Sequence, residues 1–305
     1  MELYKNEFEF KQAINKCSKA LGIRSPLIEK DYYVIYLLKE LTKAIPGLLF
    51  KGGTCCSHAY HVIERFSEDI DLSLNETYFG RNKNIKANKT VVEVCDRLGF
   101  RIVNREEVIK HSHGNFNRYL IEYPISFTSN NVKPYVQVEM SFISKSYPSE
   151  IKTIKSLITE GLETIGESDY SMFPELERFN VCVQKLERTF IDKVFAICDY
   201  FELNSVFRNS RHIYDLYKIS NRIDFGDESI KSLVRSVRAD RKRYRRCVSS
   251  QDGYDINATL TKIVQTKFYE ADYNTITKAI CISFVEYDKA IRVLQKIIDS
   301  NLFVQ

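Results

Sequence analysis

Asp69 and Asp71 stand one residue apart in the run Asp69-Ile70-Asp71-Leu72-Ser73-Leu74, where Ile70, Leu72 and Leu74 supply the apolar alternate positions. A period of two predicts a strand with both carboxylates on one face and their Cα atoms about 6.5–7 Å apart. Two parallel carboxylates repel unless a cation sits between them, and a hard dication such as Mg²⁺ (or Mn²⁺) suits an all-oxygen pair. Upstream, Leu48, Leu49 and Phe50 read as a short apolar strand and Gly52-Gly53 as a turn. Thr54 is the expected cap of a following helix of about three turns. Backbone N–H groups at a glycine turn that opens a helix suit a phosphate. A sheet edge with two solvated aspartates is the bland alternative. The order turn, helix, acidic strand favours metal and phosphate chemistry.

Other chemistry-bearing residues lie further along. Arg118–Phe127 and Lys133–Ile143 read as two strands joined by Thr128-Ser129-Asn130-Asn131, and in the second of them Val136, Val138 and Met140 alternate with Gln137, Glu139 and Ser141. Glu139 is therefore either a solvent-facing acid or a third metal-site carboxylate. Lys193 flanks an apolar helical stripe of Phe190, Val194, Ile197 and Phe201. A lysine there either snorkels to water or points into a cleft. Asp215, on a short helix beginning near Ser210, is placed to pair with a cation such as Lys193 or with a metal-bound substrate group. From Lys231 to Arg246 eight basic residues face only Asp240. Arg235, Arg238, Lys242 and Arg245 step at helical spacing, so one face is expected to bind a polyanion.

The elements that must position these residues are legible in part. Helices are expected over 7–20, ended by Gly22, and from Ser25 as N-cap with Pro26 at the first position to about Ile45, stopped by Pro46-Gly47. Glu29, Lys30 and Asp31 of the second read as a solvated turn, with a polar contact to the site as the alternative. Residues 75–89 are polar and loop-like, 90–98 helical before Gly99, and Phe100–Val103 strand-like. From Pro174 the text reads as helical, with a segment leading into a helix over Cys182–Phe201 and a last amphipathic helix over Tyr273–Asp299.

The 305 residues suffice for two domains, and a net charge of +5 is too modest to argue for nucleic acid by itself. No apolar run reaches the roughly 18–20 residues that span a bilayer. The acidic N-terminal text lacks a signal-peptide pattern, so no membrane association and a cytoplasmic location are expected. Eight cysteines without a C-x-x-C read as reduced, packed thiols. His111-x-His113 has no nearby partner for a metal site, and Lys51-Gly52-Gly53-Thr54 is not a P-loop.

Taken together, Lys51-Gly52-Gly53-Thr54, the run Glu64-Arg65-Phe66-Ser67-Glu68-Asp69-Ile70-Asp71-Leu72, the segment 28–34 (I-E-K-D-Y-Y-V), 187–193 (E-R-T-F-I-D-K) and 210–216 (S-R-H-I-Y-D-L) resemble the nucleotidyltransferase AbiEii/AbiGii toxin family of bacteria, in the expected order. The resemblance implies an α+β fold: a minimal DNA polymerase β-like nucleotidyltransferase sheet with flanking helices, then a helical C-terminal domain. The expected boundaries are 1–170, with a helical lead-in over 1–46 and a core over 47–145, and 171–305. It implies that Gly52 and Gly53 carry nucleotide phosphates and that Asp69 and Asp71 carry Mg²⁺. Thr54 and Ser67 join the nucleotide-binding set. It assigns function to Lys193 and Asp215, and Glu139 becomes the third acid on strand position. Members act as the toxin of a two-gene toxin–antitoxin or abortive-infection system, and some extend tRNA 3′ ends. A departure is Cys55-Cys56, where many relatives carry small or aliphatic residues.

The expected reaction is transfer of a nucleoside monophosphate from an NTP to an RNA hydroxyl, driven by placement and charge neutralisation. The site is expected in a cleft between the two halves, with the basic face carrying RNA and a cognate antitoxin as a further partner. A protein or small-molecule acceptor, and a non-catalytic nucleic-acid-binding module, are the alternatives.

Overall fold

The computed structural model describes residues 2–110, 114–129, 132–143, 145–167 and 172–304. His111, His113, Asn130 and Asn131 lie outside the described residues. The chain divides into two compact units. The first comprises 1–59, 68–142 and 149–183; the second comprises 60–67, 143–148 and 184–305.

The first unit is built on a six-stranded mixed sheet of order β3-β4-β2-β1-β6-β5. Its strands are β1 (Leu48–Lys51), β2 (Asp69–Leu74), β3 (Phe116–Glu122), β4 (Tyr135–Ser141), β5 (Ser149–Ile154) and β6 (Phe179–Gln184). β1 runs antiparallel to β2, and β2 runs parallel to β4, with Asp71 opposite Glu139. The alternation read from the sequence holds: Ile70, Leu72 and Leu74 are buried, and so are Val136, Val138 and Met140. The fold class, α+β around a mixed sheet, is as expected.

Several expectations are corrected. β6 is a strand parallel to β1 rather than part of the helix that follows it. Its pattern F-N-V-C-V-Q has period two, with Val181 and Val183 buried. The polar run 75–89 is not a loop throughout, because helix α4 already starts at Arg81 and reaches Leu98. Asn84 and Asn88 are buried within it, and the Tyr119 hydroxyl donates to the Asn88 side chain. Ile102 makes only a single bridge to Ile121, and a short helix α5 (Arg105–Lys110) follows.

The helix α2 (Ser25–Ala44) explains the largest correction. It is buried on nearly every side from Ile28 to Leu41, packing on α1 (Glu7–Leu21), α4, α6 (Leu157–Thr164) and strands β2 and β4. A helix surrounded in this way cannot keep a polar turn in water. Glu29, Lys30 and Asp31 are consequently buried, not solvated. The cap of α2 is Arg24, with Ser25 already helical. Tyr32 and Tyr33 anchor an aromatic cluster with Phe10 and Tyr123, their centroids 4.6–5.1 Å apart. Gly161 lets α6 approach α1, since a Cβ there would sit 2.6 Å from that of Cys17.

The second unit is helical: α7 (Leu186–Glu202), α8 (Arg211–Ser220), α9 (Glu228–Lys242), α10 (Ile256–Thr266) and a terminal helix Arg292–Asp299. The expected stripe of α7 packs inward through Phe190, Val194 and Ile197. The single helix expected over Tyr273–Asp299 is interrupted. Residues 281–286 are not helical, and there the chain pairs with the 60–67 segment: Phe66 N donates to Ile280 O at 2.7 Å and Ile282 N to Glu64 O at 2.9 Å. All eight cysteines are free thiols, five of them buried.

Candidate active site

β1 delivers the chain into the glycine turn, and helix α3 (Gly52–His58) leaves it. Gly52 has φ +78°, a region that only glycine enters without strain. A Cβ at that position would lie 1.8 Å from Asp71 Oδ2, so the carboxylate occupies the space a side chain would need. The turn and the second aspartate are thus one packed arrangement. Thr54 is not the cap. Lys51 holds that position, and Thr54 is buried inside the helix with its hydroxyl donating to Asp69 O at 2.6 Å. It ties α3 to β2 instead of facing a ligand. The helix itself is shorter than expected, at seven residues.

Asp69 and Asp71 project from the half-buried face of β2. Asp69 Oδ1 and Glu68 Oε2 are buried without a hydrogen-bond partner. Lys133 Nζ lies 3.8 Å from Asp69 Oδ1 and 3.6 Å from Glu68 Oε1. Hard oxygen donors one residue apart, one of them lacking a hydrogen bond while buried, fit a divalent cation. The three-carboxylate set is not assembled, however. Glu139 lies beside Asp71 in register, but its Oε1 accepts from Arg118 Nε and Gln137 Nε2, each at 2.9 Å. Among the described residues no group of three or more His, Cys, Asp or Glu is arranged to hold a metal ion. A strand neighbour, Arg118 opposite Glu139 on β3, has claimed the acid.

The buried triplet on α2 supports this corner. Glu29 accepts from the backbone N–H groups of Ser126 and Phe127 at 2.6 and 3.0 Å. Lys30 donates to the carbonyls of Lys133 and Tyr135 and lies 3.6 Å from Glu68 Oε2. Burial pulls its ammonium down to about 8, so it remains protonated at neutral pH. Asp31 accepts from Leu157 N at 2.6 Å and from His58 Nε2 at 2.8 Å. The other ring nitrogen of His58 faces Lys155 O at 3.3 Å. Both nitrogens lie within reach of acceptors, an arrangement that the imidazolium satisfies. Burial alone lowers the His58 pKa, but Asp31 and the Lys155 carbonyl outweigh it and raise it.

In the second unit the structure pairs Lys193 with Asp215, Nζ to Oδ2 at 2.6 Å. Sequence reasoning missed the third member. Arg65 grips Asp215 with two bonds of 2.7 Å, Nε to Oδ1 and Nη2 to Oδ2. Burial raises the Asp215 carboxyl, and Arg65, then Lys193, outweigh it and hold it well below the usual carboxylate range. Arg65 stood in the quoted motif, but its partner is 150 residues away. Ser67 is half-buried at the end of the same segment.

The basic residues drawn from the sequence are divided between α9 and the residues after it. α9 stops at Lys242, so Arg245 is off the helix. Arg238 donates to Phe303 O at 3.1 Å and lies over the Phe195 ring. Arg241 pairs with Asp199 at 2.6 Å and Lys242 with Asp252 at 2.6 Å. Arg235 bonds to Ser232. Of the acids that oppose the run, Glu228, Asp240 and Asp252 are near it in sequence and Asp199 is distant.

The glycine turn packs against one of two strand aspartates on a mixed sheet. MenT4, a nucleotidyltransferase toxin from Mycobacterium tuberculosis H37Rv, has a similar fold, with a TM-score of 0.63 at 16% identity over 96% of this chain and 90% of that one. A protein from H. pylori described as a candidate nucleotidyltransferase aligns over 88% and 92% of the two chains at 15% identity, with a TM-score of 0.45. No curated protein matches the sequence significantly. The family model for the nucleotidyl transferase AbiEii toxin, Type IV TA system, matches residues 37–284. The chain belongs to that family, a family of nucleotidyltransferase enzymes that serve as toxins. No helix among the described residues is long and apolar enough to cross a membrane.

Proposed function

We propose that this toxin transfers a nucleoside monophosphate from an NTP to the 3′ hydroxyl of an RNA, with tRNA-like ends as the acceptor class, and that it depends on Mg²⁺ or Mn²⁺ held by Asp69 and Asp71. The observation that carries the reading is the Asp71 carboxylate seated on Gly52, together with an Asp69 oxygen, on the same strand, that lacks a hydrogen bond. Bound there, a dication supplies charge neutralisation for a triphosphate and activation of a hydroxyl. The chain's own part is placement. Gly52 and Gly53 keep side chains away from the turn, leaving backbone N–H groups for phosphate oxygens. Thr54 fixes the turn to β2. For Lys193 and Asp215 the support is their match to the family motifs together with the 2.6 Å bond from Lys193 Nζ to Asp215 Oδ2. Glu139, held by Arg118, drops out of the proposed ligand set.

An RNA acceptor is supported by the family resemblance and by the exposed cations Lys242, Arg243, Arg245 and Arg246. The inward packing of Arg238 and Arg241 favours a second reading, in which the acceptor is a protein or a small molecule. Family membership also implies a cognate antitoxin. The deciding experiment offers each labelled NTP with Mg²⁺ to total RNA, protein and aminoglycoside acceptors and sizes the labelled product. Label in RNA is expected, and its loss in Asp69→Ala and Asp71→Ala. Label confined to protein or small molecules refutes the RNA acceptor, and full activity in either variant refutes the metal pair.

A further inference from the structure

We propose that Lys133 is a resident competitor of the dication: its ammonium neutralises Asp69 before metal enters and is displaced when metal binds, so it sets the concentration at which the acid pair fills. The inference rests on Asp69 and Asp71 being the metal ligands.

Glu68, Asp69 and Asp71 crowd three carboxylates into four successive positions of the sequence. Among the described residues the ammonium groups of Lys30 and Lys133 lie near Glu68, that of Lys133 also near Asp69, and the two are not equivalent. Lys30 is fully buried and fixed by the carbonyls of Lys133 and Tyr135, so it is part of the architecture. Its contact with the acids, 3.6 Å, is to Glu68 Oε2. Lys133 has a side chain 23% exposed and approaches both acids at ion-pair distance, 3.6 Å to Glu68 Oε1 and 3.8 Å to Asp69 Oδ1. Those separations are too long for hydrogen bonds, which leaves Asp69 Oδ1 without one. The unsatisfied oxygen therefore faces a cation that attracts it without coordinating it. A dication on that oxygen and an ammonium a few ångströms away repel strongly in a half-buried setting. One of them has to leave. Lys30 is pinned, whereas Lys133 has solvent beside it and a flexible four-carbon stem.

The test measures Mn²⁺ binding by the electron paramagnetic resonance of free Mn²⁺, without any turnover. It compares wild type, Lys133→Met, Lys133→Gln, Lys133→Arg and Asp69→Asn, each first checked for a wild-type circular dichroism spectrum. Removing the competing charge in the Met and Gln variants is expected to tighten Mn²⁺ binding about tenfold, the lower end of what outer-shell changes do to metal affinity. Lys133→Arg keeps the charge and is expected to bind as wild type does. The metal-free melting temperature falls in the Met and Gln variants, and its rise on adding saturating Mn²⁺ exceeds that of wild type. Unchanged or weaker Mn²⁺ binding in both neutral variants overturns the inference while the metal pair stands. If wild type takes up no Mn²⁺ that Asp69→Asn abolishes, the metal assignment itself falls and the inference falls with it.

Discussion

Removing Asp215 has a consequence that can be worked out from its partners. Its two oxygens receive three bonds from two buried cations, Arg65 and Lys193, at 2.6–2.7 Å. The carboxylate is fully buried, and the Lys193 side chain is only 8% exposed. Asp215→Ala leaves both cations uncompensated, and breaking a buried pair by deleting one partner costs about 3–5 kcal/mol. With about 2–4 °C of melting temperature per kcal/mol in a chain of this size, the expected loss is roughly 6–20 °C. Asp215→Asn keeps the shape and is expected to lose nearly as much, because the missing quantity is charge. Lys193→Met is different. Arg65 still satisfies both oxygens, leaving a neutral bidentate pair, so its stability loss is expected to stay below about 2 kcal/mol. Incorporation of labelled nucleotide should nevertheless collapse. Thermal melts at pH 7 and a urea titration give the stabilities, and labelled NTP gives the activity.

The acid side follows from the direction of the shift. The Asp215 carboxyl is lowered on folding, so its contribution is fully present above the unfolded value of about 3.9 and is lost only as pH falls through the folded value. Between pH 5 and 8 the gap between wild type and Asp215→Asn should be flat, closing only in strong acid. A loss under about 2 °C for Asp215→Ala refutes the buried-triad account. A loss for Lys193→Met as large as that for Asp215→Ala, with activity retained, refutes a functional lysine.

Three further outcomes are expected. Gly52→Ala strains a positive φ and drives a Cβ into the Asp71 carboxylate, which should cost about 1–3 kcal/mol and, through displacement of Asp71, on the order of a hundredfold in transfer rate; wild-type kinetics in this variant refute the packed turn. His58→Gln should cost about 1.5–3 kcal/mol at pH 6. The His58 pKa is raised on folding, so its stabilisation is full below the unfolded value and is lost as pH rises through the folded one; melting curves from pH 6 to 9 should show wild type converging on the variant. Lys30→Met leaves two carbonyls and Glu68 uncompensated and should cost about 3–5 kcal/mol in a denaturant titration, where a loss below 1 kcal/mol contradicts its architectural role.

What could be read without coordinates was whatever local periodicity controls. β2 and β4 announce themselves by strict alternation, and Gly52 by a turn that only glycine tolerates. The D-x-D pair needs no distant information, since the two residues define their own geometry. Burial of charge is another matter. Glu29, Lys30 and Asp31 look like a solvated turn because nothing within α2 tells how many elements surround it. Their partners lie near positions 58, 68, 126, 133 and 157, and only the tertiary fold brings those together. One signal was available: three consecutive charged residues in a helix that is apolar on several sides, which leaves too little polar face for a solvated turn. In the basic run 231–246 part of the charge compensation is likewise invisible locally. Its local composition is one-sided, but Asp199 and Asp252 supply the counter-charges from outside it.

The motif from Glu64 to Leu72 shows why a sequence signature need not be one structural piece. Glu64, Arg65 and Phe66 fold with the helical unit, where their backbone pairs with 280–283 and Arg65 secures Asp215. From Glu68 onward the same run folds with the sheet, where Thr54 holds Asp69 by its carbonyl and Gly52 receives Asp71. The chain changes units between Ser67 and Glu68. An insertion at that point falls between the residues that bond Arg65 to Asp215 and those that bond Thr54 to Asp69. Lengthening it by two glycines should therefore spare both sets of ion pairs, while Arg65→Met should strike the second unit alone.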